Sequence, residues 1–167
     1  GYSEDSHLGT AFDVTKFVKP GENLIALQIF RWCDGTYLED QDLWRLSGIS
    51  RDVELVARTK ARMNDVMITP ALENNYTDGK LAVEMEFTSG VKSADVKLLC
   101  PAGDVVAEGK VAPVKGKASY TFEVKNPAKW TAETPNLYKV VVNAGAEVYA
   151  QRVGFRFIGV ERRTGHK

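Results

Sequence analysis

Histidine and cysteine are scarce in this chain of 167 residues, two of each, and several chemistries leave with them. His7 and His166 stand alone near opposite ends, so neither has the neighbouring ligands that a zinc site requires. Cys33 and Cys100 are too few for a disulfide framework and are expected as free thiols. Neither cysteine has a histidine near it in sequence and no G-x-S-x-G elbow occurs, so nucleophilic catalysis finds no support. An excess of one charge is also lacking. Twenty-two basic residues balance twenty-two acidic ones, which removes the basic footprint of non-specific phosphate binding, and no nucleic-acid partner is expected. "GDVVAEGK" has neither the glycine spacing nor the following helix of a phosphate loop. No run approaches the roughly 18 to 20 apolar residues of a membrane-spanning helix, so no membrane partner is expected. The opening "GYSEDSHLGT" lacks the basic start and apolar run of a signal peptide, as would any chain that begins inside a domain. The compartment stays open.

Helical periodicity is hard to find, whereas short alternating runs bounded by turn residues recur, and the expected class is all-β. In "GKLAVEMEFT", Leu81, Val83, Met85 and Phe87 alternate with Ala82, Glu84, Glu86 and Thr88, which predicts one buried and one wet face. Further strands are expected over 65–72, 94–101, 104–112, 118–126, 136–144 and 146–155. They are separated by turn signals such as Pro101-Ala102-Gly103-Asp104, Lys115-Gly116, Asn126-Pro127 and Gly145. About seven strands in roughly 100 residues without a helix is the profile of an immunoglobulin-like sandwich, here without a buried cysteine pair.

The N-terminal part differs. "NLIALQIFRW" (23–32) reads as a strand covered on both faces and "RDVELVAR" (51–58) as a second, with the polar, basic "TKARMN" (59–64) as a linker. Three or four strands are too few to bury both faces of a sheet, so residues 1–58 look like the end of a larger β domain. The domain reading is therefore 1–58, a sandwich over 59–158, and a tail over 159–167. Such a partial domain leaves apolar faces and strand edges in water, so it is expected to be partly disordered, to pack on its own sandwich, or to pair with another copy as a homo-oligomer.

Residues 31–53, "RWCDGTYLEDQDLWRLSGISRDV", interleave Asp34, Glu39, Asp40, Asp42 and Asp52 with large apolar and aromatic side chains. A calcium loop of the EF-hand type wants glycine sixth and an acid twelfth, but "DGTYLEDQDLWR" has glycine second and arginine last. Trp32, Tyr37 and Trp44 are read as buried aromatics that fix the loop, with stacking on a sugar ring as the alternative. Arg45 and Arg51 are read as bidentate partners of acids such as Asp40 or Asp52.

Two stretches carry a resemblance. Residues 1 to 56, and "DGTYLEDQDLWRLSGISRDV" above all, resemble the end of the sugar-binding domain of the large bacterial β-galactosidases of glycoside hydrolase family 2. "NPAKWTAETPNLYKVVV" followed by "QRVGFRFI" (126–158) is similar to the family's next segment. The resemblance implies a jelly-roll (galactose-binding-like) domain, an immunoglobulin-like sandwich and a catalytic barrel. This sequence would hold the end of the first, all of the second and none of the third; "GVERRTGHK" (159–167) departs from the family. It also implies a retaining enzyme acting on β-D-galactosides, with sodium and magnesium as cofactors of the intact protein. Asp42 is implied as the residue that contacts a galactose hydroxyl and ligates sodium, a role that suits a hard carboxylate oxygen.

No catalytic residue is implied in this chain. Glu39 and Asp42 could approach the 5 to 5.5 Å spacing of a retaining pair were the loop helical, but the family's catalytic glutamates lie in the barrel. The galactoside is thus expected as a partner only when the barrel is present, in a bacterial cytoplasm or periplasm. "SGI-RDV" is shared with the β-glucuronidases and β-mannosidases of the family, whereas "DGTYLEDQDLWR" argues for the galactosidase branch. The rival from another class is a free-standing carbohydrate-binding or adhesive β-sandwich protein.

Overall fold

The alternation of apolar and polar residues from residue 63 onward produces seven strands: β1 (Met63–Glu73), β2 (Asp78–Phe87), β3 (Ala94–Leu99), β4 (Val105–Val111), β5 (Lys117–Val124), β6 (Tyr138–Asn143) and β7 (Val148–Val153). The computed structural model describes residues 1–4, 8–38, 48–49 and 51–159. It divides into two compact units, Gly1–Val56 and Ala57–Lys167. In the second unit all strand pairs are antiparallel and form two sheets, ordered β1-β2-β5 and β4-β3-β6-β7.

The period of two decides which side chains are dry. Leu81, Val83, Met85 and Phe87 of β2 are buried as the alternation predicts, and Phe122 of β5 joins them. Ala94, Val96 and Leu98 of β3 and Tyr138, Val140 and Val142 of β6 supply the other wall. Facing sheets of this kind are a β-sandwich, in which each sheet is the other's cover. Every fully buried Val, Leu or Met here stabilises by about 1.5–3 kcal/mol relative to exposure. No cysteine bridge contributes, because Cys33 and Cys100 are both free thiols.

One side of the sandwich is stitched by Tyr120 of β5, whose hydroxyl donates to the Glu108 carbonyl of β4 at 3.1 Å. Gly109 makes this possible, since a Cβ there would sit 2.2 Å from the Tyr120 ring. At the other end "NPAKW" and "VGFR" close on each other. Trp130 N–H donates to the Phe155 carbonyl (2.9 Å), and the Tyr138 hydroxyl accepts from Ala128 N–H (3.0 Å). The Tyr138 and Phe155 rings meet edge to face at 5.0 Å. The Arg156 guanidinium lies 4.9 Å from the Trp130 ring centre, within reach of a cation–π attraction. A side chain at Gly154 would strike Trp130, so glycine is required there.

The β1–β2 turn holds Asn74, Asn75 and Tyr76 at φ of 51°, 54° and 64°, a left-handed run that Asn tolerates and Tyr does not favour. Asp78 secures it, accepting from Asn74 (2.7 Å) and Lys125 (2.8 Å) through Oδ2 and from Asn126 N–H (3.4 Å) through Oδ1. The Lys125 ammonium, then the Asn74 amide, pull the Asp78 carboxyl down to about 2.

In the first unit the strand expectation is corrected. Among the described residues, 23–32 and 51–58 pair with no neighbour, and within 1–56 a four-residue helix, α1 (Gly35–Leu38), is the sole regular element described. The physical reason is that a strand exists only as part of a ladder, and the apolar pattern supplies no partner for its backbone N–H and C=O groups. Consequently Leu24 is 95% and Phe30 70% exposed, and no described residue of this unit is buried. A second correction concerns 59–64. Rather than a loose linker, these residues are hydrogen-bonded to the sandwich, and Met63 is both buried and the first residue of β1.

Two outcomes are expected. Leu98→Ala, at a fully buried position between the sheets, should lower the unfolding free energy by about 2–5 kcal/mol in a urea titration. For Asp78 the folded pKa lies below the ordinary 3.8, so its contribution is full above about pH 4 and is lost as pH falls towards 2. Thermal midpoints of the parent should therefore drop more steeply over that window than those of Asp78→Asn; parallel curves would refute the assignment.

Candidate functional site

The acid and aromatic stretch begins where the backbone after Trp32 turns into α1. Thr36 N–H and Tyr37 N–H donate to the Cys33 and Asp34 carbonyls at 3.0 and 3.2 Å, and the Thr36 hydroxyl accepts from Cys33 N–H at 3.1 Å. Gly35 and Thr36 are partly covered, while Tyr37 and Leu38 project outward. Near the chain start the Tyr2 hydroxyl donates to Glu4 Oε1 at 2.5 Å. That bond, with the charges of Glu4 and Asp34 behind it, raises the phenol above its usual range.

Trp32 is 49% and Tyr37 76% exposed. The expectation that these aromatics are buried is corrected, because the described residues of 1–56 form no second layer over this face. Arg31 places its guanidinium 5.0 Å from the Trp32 ring centre. Arg51 and Asp52 are exposed. Asp42, Trp44 and Arg45, with Glu39 and Asp40, lie outside the described residues. Among the described residues no three His, Cys, Asp or Glu side chains gather as a metal site would need.

Two sequence-matched segments thus sit on two separate units: an exposed aromatic loop on the first, and on the second a sandwich closed by "NPAKW" against "VGFR". Residues 1–59 match the family model for the sugar binding domain of glycosyl hydrolases family 2. Residues 61–156 match the glycosyl hydrolases family 2 model that covers the following domain. The chain belongs to glycosyl hydrolase family 2.

Curated relatives in glycosyl hydrolase family 2 share both segments. A β-galactosidase of Photobacterium profundum is 40% identical over 96% of this chain and 17% of its own length. One from Staphylococcus xylosus is 37% identical over 96% and 16%, and one from Priestia megaterium 38% identical over 93% and 17%. This chain therefore spans about a sixth of the length of these relatives. Among solved structures, β-glucuronidases of Bifidobacterium dentium (TM-score 0.53, 20% identity, 61% of this chain and 19% of that one) and of an uncultured Clostridium (0.52, 22%, 61% and 16%) share the fold. At that identity the likeness is one of fold alone.

Sequence reasoning passed over two polar clusters, both on the sandwich unit. The Asp78 cluster had a signal, the paired asparagines before "YTDG". Glu147 had none, because its partners Arg58 and Met63 are 89 and 84 residues away.

Proposed function

We propose that this chain is the sugar-binding and sandwich portion of a β-galactosidase-type glycoside hydrolase, contributing to the galactose subsite while a barrel elsewhere in the protein performs retaining hydrolysis. The observation that carries this reading is the similarity to curated β-galactosidases, 37–40% identical across nearly the whole chain. The elementary chemistry agrees with it. Carboxylates accept from sugar hydroxyls, and aromatic rings offer their faces to the apolar side of a pyranose.

In this reading Asp42 accepts from a galactose hydroxyl and offers one oxygen to sodium. A single carboxylate does not hold that ion. In this reading the remaining sodium ligands and any magnesium site are supplied by the rest of the longer protein. The sandwich acts as a spacer, which its cross-stitched, well-filled interior suits.

A second reading, direct glycan binding by the chain alone, is favoured by the exposure of Trp32 and Tyr37. The two diverge in the calorimeter. A portion that completes a subsite gives no millimolar or tighter heat with galactose or lactose and no turnover of a nitrophenyl galactoside. Measurable binding that is lost in Trp32→Ala would replace the first reading with the second. In the longer enzyme, Asp42→Ala should lower kcat/KM by about a hundredfold or more, the loss of a charged hydrogen bond plus a cation ligand. An unchanged kcat/KM would remove Asp42 from the site.

A further inference from the structure

The segment between residues 58 and 63 carries three basic residues, Arg58, Lys60 and Arg62, in a stretch whose composition reads as an open linker. The structure holds it at two places. At the first, Glu147 at the β6–β7 hairpin accepts from Arg58 Nε (3.0 Å, through Oε1), Arg58 Nη2 (2.7 Å, through Oε2) and Met63 N–H (3.1 Å). The same Arg58 Nη2 donates to the Met63 carbonyl, so guanidinium, carboxylate and the first residue of β1 form a closed ring of bonds. The Glu147 side chain is only 19% exposed, as shielded as Asp78 in its pair with Lys125, whereas in the pairs of Lys80, Lys97, Lys110 and Lys117 both partners stand in water.

At the second place, Thr88, just past β2, donates its hydroxyl to the Lys60 carbonyl (2.6 Å) and accepts from Arg62 N–H (2.9 Å). Its own N–H donates to the Arg62 carbonyl (2.9 Å). Within the segment, the Thr59 hydroxyl donates to the Ala61 carbonyl at 2.7 Å. These are two separate anchors with different chemistry. The first is a bidentate charge pair, and the second is a neutral hydroxyl bridging two backbone groups.

We propose that residues 58–63 are a strap with two anchors of different chemistry, in which Glu147 is the positioning residue for Arg58 and Met63, and Thr88 the positioning residue for Lys60 and Arg62. The free energy of local opening depends on the contacts and hydrogen bonds that hold a segment in the fold. The strap therefore stays shut although its composition is that of a trypsin substrate. A guanidinium held through Nε and Nη2 is withheld from a protease pocket that needs the same charged group.

The test is limited trypsin digestion of the full chain, with cleavage after Arg58 and after Arg62 scored against cleavage after the exposed Lys16. Glu147→Ala is expected to speed the Arg58 cut about tenfold or more and the Arg62 cut by less, because Met63 N–H loses its acceptor while Thr88 still holds Arg62 and cleavage follows the open population. Thr88→Val is expected to do the reverse, and Glu147→Gln, which keeps one acceptor, to fall between Glu147→Ala and the parent. Equal Arg58 cutting in parent and Glu147→Ala, or one variant opening both sites alike, overturns the proposal. Hydrogen exchange on the unmutated protein gives an answer even if a variant does not fold. The Arg62 and Met63 amides, which donate to Thr88 and Glu147, should exchange more slowly than those of Lys60 and Ala61, and equal rates overturn it as well.

Discussion

The mutual burial of two alternating faces is the constraint on which the sandwich rests. Leu81, Val83, Met85 and Phe122 of one sheet are dry because Val96, Leu98, Val140 and Val142 of the other cover them, and the converse holds equally. Remove one wall and the other becomes a wet apolar sheet. The register of every ladder follows, since a slip by one residue would turn the buried set to solvent. With the register settled, the left-handed run of Asn74, Asn75 and Tyr76 is tolerable; each such residue costs on the order of 1 kcal/mol, and the surrounding strands and the Asp78 bonds over-determine it.

The same constraint explains the contrast with residues 1–56. Leu24, Ile25, Leu27, Ile29 and Phe30 have the apolar character of a covered strand and are all exposed, because the described residues of that unit supply no facing layer or neighbouring ladder. A motif can thus be complete in sequence and incomplete in packing. Relatives that match this chain over about a sixth of their length have the additional chain from which covering elements could come. The proposed role of the acid and aromatic loop, as one part of a sugar subsite, is consistent with that division.

Charge is used differently in the two parts. On the sandwich, carboxylates serve geometry: Asp78 gathers a turn and Glu147 gathers a strap, each through three or more donors. Both are held below the usual carboxylate range, Asp78 by Lys125 and Glu147 by Arg58. In the loop stretch Asp34 and Asp52 are not drawn into such clusters among the described residues, and they remain available to solvent.

What the sequence determined by itself is whatever depends on short-range periodicity and on motif. The alternation in "GKLAVEMEFT", the turn signals between strands, and the blocks "SGISRDV" and "NPAKW…VGFR" were enough for an all-β reading, a seven-strand sandwich and the family. Only the tertiary structure decided what depends on partners distant in the chain. Whether 23–32 forms a ladder, whether Trp32 and Tyr37 are covered, and whether 58–63 is loose all turn on neighbours that local pattern does not name. Arg58 and Glu147 show the reason most directly. Each is an ordinary surface residue in its own stretch, and their bond exists because the folded sandwich brings positions 89 residues apart to within 2.7 Å.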